Sequence, residues 1–397
     1  MDSSESAMPT RGCATAPPPQ LSTRVPNGTR YKLSYPNDYD ASQPIPLLIS
    51  FHGWGGSIHS ADDLHAHGRL HGYAVASPEG GADANGTFTA ANGYASWNGA
   101  GTSAAGTCVD PERKFSYCYR SCAPCADTCS WTTCDDSVAA ALAVLADVEA
   151  ALCIDPRRVH ATGVSNGGVF LYELAADPRS AARFASYAPV VGAPHAGFNR
   201  PPLYRAPFFG VWGRLDHTIP PLQNPDAAGH PGDPTAALDA QWSGPGSGWL
   251  WSTARNATAL WARANGCVPE LVEAPPWVDL DAAAECVAWS GCDEAEVIEC
   301  LTPGGHEIPP WRARVQWAFM QRHELPARPQ PTAPLPGGWP ASAGVAATEP
   351  TVPLVVVVPV AAVAAVVGCF ATVAAGWAYR RWRKGVPAGQ RRRLGSM

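Results

Sequence analysis

The stretch Arg158-Val-His-Ala-Thr-Gly-Val-Ser-Asn-Gly-Gly-Val-Phe-Leu-Tyr-Glu173 constrains this chain more than any other. A short β-favouring run, Val159 to Thr162, turns through Gly163-Val164-Ser165-Asn166-Gly167 and leaves as an apolar-periodic segment, Val169 to Leu174. The pattern is strand, G-x-S-x-G turn, helix, which is that of a nucleophile elbow. Glycines two residues either side of Ser165 let the two arms pass without a Cβ clash. The serine is then held in a strained backbone with its hydroxyl exposed, and the N-terminal N–H groups of the helix face a site where negative charge would develop. The pentapeptide alone occurs by chance in glycine-rich chains. The strand before it, the helix after it and the further Gly168 give it specificity, and Ser165 is the candidate nucleophile.

At 397 residues the chain has room for one large α/β domain plus appendages. A formal net charge of −6 with only 16% charged residues offers no electrostatic footprint for nucleic acid. The 15 tryptophans fit a large domain with an aromatic-lined cleft. Thirteen cysteines are too many for a metal-free cytosolic enzyme. Most fall in two clusters, Cys108, Cys118, Cys122, Cys125, Cys129 and Cys134, then Cys267, Cys286, Cys292 and Cys300. Cys122-Ala-Pro-Cys125 admits zinc or iron–sulfur ligation, whereas N-x-S/T sequons at Asn27, Asn85 and Asn256 favour disulfides in an oxidising compartment, with pairings left open.

Residues 1–20 are small, polar and Pro-rich, are expected to be disordered, and contain no apolar signal-peptide core, so either the true start lies upstream, which is the favoured reading, or export uses the C-terminal segment. The catalytic domain is expected over 21–324. Strands are expected at Arg30 to Pro36, Pro46 to Phe51, Gly72 to Pro78, Phe184 to Val191, Pro207 to Gly213 and Glu296 to Leu301. Helices are expected at Asp135 to Leu152, capped by Asp136 or Ser137, at Thr253 to Asn265 and at Trp311 to His323. The segment 108–134 is a cysteine-rich insertion too polar for a core of its own, and Gln241 to Trp251 reads as a loop. A Pro-rich stalk follows over 325–353. From Leu354 to Tyr379 the chain is apolar and uncharged, long enough for one tilted transmembrane helix, for which roughly 20 residues suffice. The basic tail 380–397 places that end in the cytosol and the catalytic domain outside it.

A serine needs a base, and the base an orienting carboxylate. In the α/β-hydrolase fold the chain order is Ser, Asp or Glu, His, each on a loop after a strand. Asp216 follows the strand ending at Gly213, and His306 follows the strand ending at Leu301. His160 lies inside the elbow strand, His195 and His230 lack a preceding late strand, and His217 adjoins the acid, so none competes well as base. Asp233 and Asp239 are the rival acids. The Gly-rich loop His52-Gly-Trp-Gly-Gly-Ser57 follows a strand upstream of the elbow, so the backbone N–H groups of Trp54 and Asn166 are the expected oxyanion donors, with His52 structural. Trp97 and Trp251 are candidate substrate contacts. No metal or organic cofactor is called for.

These residues carry a resemblance. His52-Gly-x-Gly-Gly-Ser57, Ser96-Trp-Asn98, Asp135-Asp136, the run from Ile154 to Gly168, Gly213-x-x-Asp216-x-x-x-Pro220, Trp261-x-x-x-Asn-Gly-Cys267 and Gly304-Gly-His306 together resemble the polyhydroxybutyrate depolymerase and feruloyl esterase group of secreted α/β-hydrolases, over about residues 30–323. The resemblance implies a mostly parallel central sheet and a serine esterase acting on polymer-linked or aromatic acyl esters, with Ser165, Asp216 and His306 as triad. The cysteine-rich insertion, the membrane span and the missing signal peptide depart from the group. A peptidase of the same fold, or a catalytically idle ectodomain acting in recognition through the insertion, are the alternative readings.

Overall fold

A computed structural model describes residues 10–82, 94–108, 119–122, 129–222, 242–243, 248–278, 283–292 and 295–332. All belong to the first of two units into which the chain divides, Met1–Ala341; the second, Ser342–Met397, lies outside them. Outside them too lie Asn85, Cys118, Cys125, His230, Asp233, Asp239, most of the stalk, and the expected transmembrane helix and basic tail. Among the described residues no helix is long and apolar enough to cross a membrane.

In chain order the strands are β1 (Ser22–Arg24), β2 (Tyr31–Ser34), β3 (Ile45–Phe51), β4 (Ala74–Pro78), β5 (Ile154–Val164), β6 (Ser186–Val190), β7 (Phe208–Gly213), β8 (Trp242–Ser243), β9 (Trp251–Ser252), β10 (Leu271–Glu273), β11 (Glu285–Trp289) and β12 (Val297–Thr302). The helices are α1 (Asp62–His71), α2 (Ser137–Ala151), α3 (Asn166–Ala176), α4 (Ala254–Ala264) and α5 (Arg312–Met320). Ten strands form one sheet in the order β1-β2-β4-β3-β5-β6-β7-β12-β11-β10. The six from β4 to β12 run parallel, while β1, β2, β10 and β11 join antiparallel at the two edges. This mostly parallel sheet with helices on both faces is the α/β-hydrolase arrangement.

Strands covered on both faces must be apolar on both, which is why they read as runs rather than alternations. In β3, Leu47, Ile49 and Phe51 enter one core and Leu48 the other; in β7, Phe208 and Trp212 oppose Phe209 and Val211. Val144 of α2, Phe170 of α3 and Trp261 of α4 fill the first core, and Leu64 of α1 with Val315 and Phe319 of α5 fill the second. Helix α2 begins at its expected cap, the Asp136 carboxylate accepting from the Ala139 N–H at 3.0 Å.

Three expectations change, and one helix was not expected. Residues 10–20 are docked rather than disordered. The Gly12 N–H donates to the Glu149 carbonyl, the Thr10 hydroxyl to the Leu152 carbonyl, and Cys13 is bonded to Cys153. The expected loop from Gln241 to Trp251 contributes to a two-strand ladder, Trp242 opposite Ser252 and Ser243 opposite Trp251. Helix α1 was not legible, because its sequence DDLHAHGRLH buries only Leu64, His65 and Gly68 and shows no apolar stripe. Trp97, expected at the cleft, is a core residue only 1% exposed, with an edge toward Phe51 and a face stacked on Phe170.

The described cysteines form five disulfides, Cys13–Cys153, Cys108–Cys129, Cys122–Cys134, Cys267–Cys292 and Cys286–Cys300. Cys122 therefore spends its sulfur on Cys134, which removes it as a thiolate ligand in the C-x-x-C.

Candidate active site

Ser165 sits between β5 and α3 with φ 53° and ψ −120°, a conformation that costs a non-glycine residue on the order of 1–3 kcal/mol. The crowding on both sides explains the glycines. A Cβ on Gly163 would lie 2.3 Å from the Gly167 carbonyl oxygen, and one on Gly167 would lie 2.2 Å from that of Phe51. The serine N–H donates to the Val190 carbonyl, and the first α3 hydrogen bond runs from Val169 N–H to the Ser165 carbonyl. The turn is thus pinned by β6 on one side and by its own helix on the other.

The parallel register of β7 with β12 delivers the other two groups. Gly213 pairs with Thr302, so the chain leaves both strands at the same level. The loops then bind one another, Arg214 N–H to the Thr302 carbonyl and Leu215 N–H to the Gly304 carbonyl. Asp216 is 2% exposed. Its Oδ1 accepts from the N–H groups of Thr218 and Ile219 at 2.7 and 2.9 Å, and its Oδ2 accepts from His306 Nδ1 at 2.7 Å. A carboxylate here can only accept, so Nδ1 carries a proton, and in the neutral ring Nε2 is the atom with the lone pair. That Nε2 lies 2.9 Å from Ser165 Oγ. Ser165, Asp216 and His306, 141 residues apart along the chain at their widest, are therefore joined in one hydrogen-bonded line.

The Gly-rich loop lies against the same serine: a Cβ on Gly53 would be 3.3 Å from the Ser165 Cβ. His52 shapes that loop and is not a base. It is buried, its Nδ1–H donates to the Gly53 carbonyl at 2.6 Å, and its Nε2 accepts from Gly80 N–H at 2.9 Å. Burial lowers its pKa, so both contacts persist with a neutral ring. Asn166, the first residue of α3, locks the 95–98 segment: its side chain accepts from Trp97 N–H at 2.7 Å and donates to the Trp97 carbonyl at 2.9 Å. The Trp97 indole in turn donates to the His52 carbonyl. Trp97 thus braces the loop from behind.

A cleft of about 310 Å³ opens at the serine, lined by Trp54, Trp131, Ser165, Thr218, Ile219, Trp249, Trp251 and His306. Trp251 is placed there as expected. Trp54 also lines it, and its indole N–H donates to the Tyr119 hydroxyl at 3.0 Å. Trp131, Thr218 and Ile219 escaped the sequence reading. Trp131 stood beside the cysteines of the insertion, where its signal was masked by theirs. The other two lie two and three residues after the acid, and the turn they form around its carboxylate brings them to the cleft.

No protein-family model matches the chain, and comparison with curated proteins gives no match. Among solved structures, the chain is similar to an acetyl xylan esterase from Aspergillus awamori at 12% identity and a TM-score of 0.43, over 75% of this chain and 96% of that one. A thermostable esterase is similar at 15% identity and a TM-score of 0.31, over 50% of this chain and 47% of that one. Thermogutta terrifontis esterase 2 phosphorylated by paraoxon is similar at 12% identity and a TM-score of 0.34, over 51% and 74%. These solved structures are esterases, but likenesses this distant assign nothing, and the chemistry has to be read from the site.

Proposed function

We propose that this protein is a serine hydrolase of carboxylic esters. The observation that carries the reading is the His306 ring, 2.9 Å from Ser165 Oγ through Nε2 and 2.7 Å from Asp216 through Nδ1. Nε2 takes the Ser165 proton as Oγ attacks the ester carbonyl carbon. Asp216 holds the tautomer and stabilises the imidazolium that forms. The backbone N–H groups of Asn166 and Trp54 are the donors assigned to the developing oxyanion, each worth roughly 3 kcal/mol in comparable sites. The imidazolium then protonates the leaving alkoxide, and water attacks the acyl-enzyme by the reverse path, with His306 again as base.

The tryptophan-lined cleft favours an acyl or alcohol part with a flat or broad apolar face, in keeping with feruloyl-type, acyl-polysaccharide or polyhydroxyalkanoate esters. Together with residues 354–379, which read as a membrane span, the five disulfides fit a catalytic domain held at a membrane on its extracytosolic side. The test is labelling of the full chain with an active-site-directed fluorophosphonate, followed by hydrolysis of a panel of acetyl, feruloyl and short hydroxyalkanoate esters. Tagging at Ser165 that disappears in Ser165→Ala, with turnover of at least one ester, supports the proposal. An untagged protein that turns over none of them would return the chain to a recognition role.

A further inference from the structure

His195 takes no part in the proton path, yet it is fully buried beside the cleft. Its Nδ1–H donates to the Leu250 carbonyl at 2.9 Å, and its Nε2 accepts from the Trp131 indole N–H at 2.8 Å. Its ring stacks on Trp251 with centroids 3.9 Å apart, and the two residues form a strand bridge through their backbones. One imidazole therefore touches two of the tryptophans that face Ser165 and His306.

Those tryptophans come from different parts of the chain. Trp131 belongs to the cysteine-rich insertion, just past the Cys108–Cys129 disulfide, and Trp251 to β9. The two segments also meet directly, where Trp249 donates its indole N–H to the Cys129 carbonyl and Leu250 its backbone N–H to the Thr107 carbonyl. Indole can only donate and a carbonyl can only accept, so the group between them must accept on one edge and donate on the other while lying flat on Trp251. A neutral imidazole with its proton on Nδ1 meets all three demands. Burial holds the ring in that form, with a pKa lowered to about 3.

We infer that His195 is the positioning residue of the aromatic wall of the cleft, and that the insertion, through Trp131, determines which esters fit. The inference deepens the ester-hydrolase reading of this site and rests on it. His195 acts through Trp131 and Trp251 and touches no reacting atom. The wall they form presents flat apolar faces to the acyl part of the substrate, so its placement matters to ring-bearing acyl groups and little to an acetyl group.

The test compares the full chain with His195→Phe, which can keep the stack but removes both hydrogen bonds, and with Trp131→Phe, which keeps a ring but removes the donor. Each is assayed on 4-nitrophenyl acetate and 4-nitrophenyl benzoate, esters of one alcohol. The KM for benzoate relative to acetate rises about tenfold in both variants, with little change in the kcat ratio. Binding of free 2-naphthoate, read by tryptophan fluorescence, weakens by a similar factor and needs no turnover. A KM ratio and a naphthoate affinity both unchanged in Trp131→Phe overturn the inference, whether or not His195→Phe folds. A full chain that hydrolyses neither ester and is not tagged at Ser165 overturns the ester reading instead, and the naphthoate measurement still decides the role of His195.

Discussion

At Ser165 the backbone is strained, the hydroxyl is aimed at His306, and the α3 N-terminus lies beneath, so three properties that a nucleophile needs come from one residue's position. Asp216 is as tightly specified, because its two carboxylate oxygens act separately. Oδ1 closes the turn over Thr218 and Ile219, and Oδ2 fixes the ring. In Asp216→Asn the side-chain amide can donate toward His306 Nδ1, which puts the ring proton on Nε2 and deprives Ser165 of its base. Steady-state kinetics should show kcat reduced on the order of 10⁴-fold, with the melting temperature little changed. Trp97 belongs to a different category. Buried at 1% exposure, it supports the Gly-rich loop through its bond to the His52 carbonyl. Trp97→Ala should cost roughly 3–5 kcal/mol in denaturant unfolding while leaving the order of substrate preference as it was.

Among the elements, the pairing of β7 with β12 matters most to the site, since it brings the acid loop and the histidine loop into register. Gly213 is the pivot: a Cβ there would lie 2.0 Å from the Gly305 carbonyl oxygen. Gly213→Ala should therefore destabilise the fold by roughly 1–3 kcal/mol and lower activity by more than the stability loss explains, measured as kcat/KM of the folded fraction. The elements that position the triad were legible, because each is a run of apolar residues ended by glycine or by a polar loop residue. Helix α1 was not, since His65 takes the place of an apolar residue and is satisfied between the hydroxyls of Ser34 and Ser77. The edge strands β10 and β11 also gave little signal, being short and half-exposed.

For the molecule as a whole, stability depends on pH and redox state as well as on packing. His65, His160 and His195 are buried and neutral, each with a pKa lowered by burial to about 3. Unfolded histidine titrates near 6.5, so between that value and about 3 the unfolded chain binds more protons than the folded one, and stability falls as pH drops. Each ring contributes a slope of about 1.4 kcal/mol per pH unit in that window. Unfolding free energy followed from pH 7 to pH 4 should show a steeper fall for the native chain than for His65→Gln. The Cys13–Cys153 bond spans 140 positions and ties residues 10–20 to the end of α2, so Cys13→Ser should cost about 2–5 kcal/mol of stability without removing the triad. Strand–turn–helix patterning and chain order were enough to read the fold class and to name Ser165, Asp216 and His306 as the candidate triad, because both are written along the chain and survive without coordinates. That Trp131 reaches the cleft while Trp97 does not, where the described cysteines pair and what His195 holds came only from the folded chain, because these depend on segments far apart in the chain meeting, and contacts of that kind leave no periodic trace in the residues that make them.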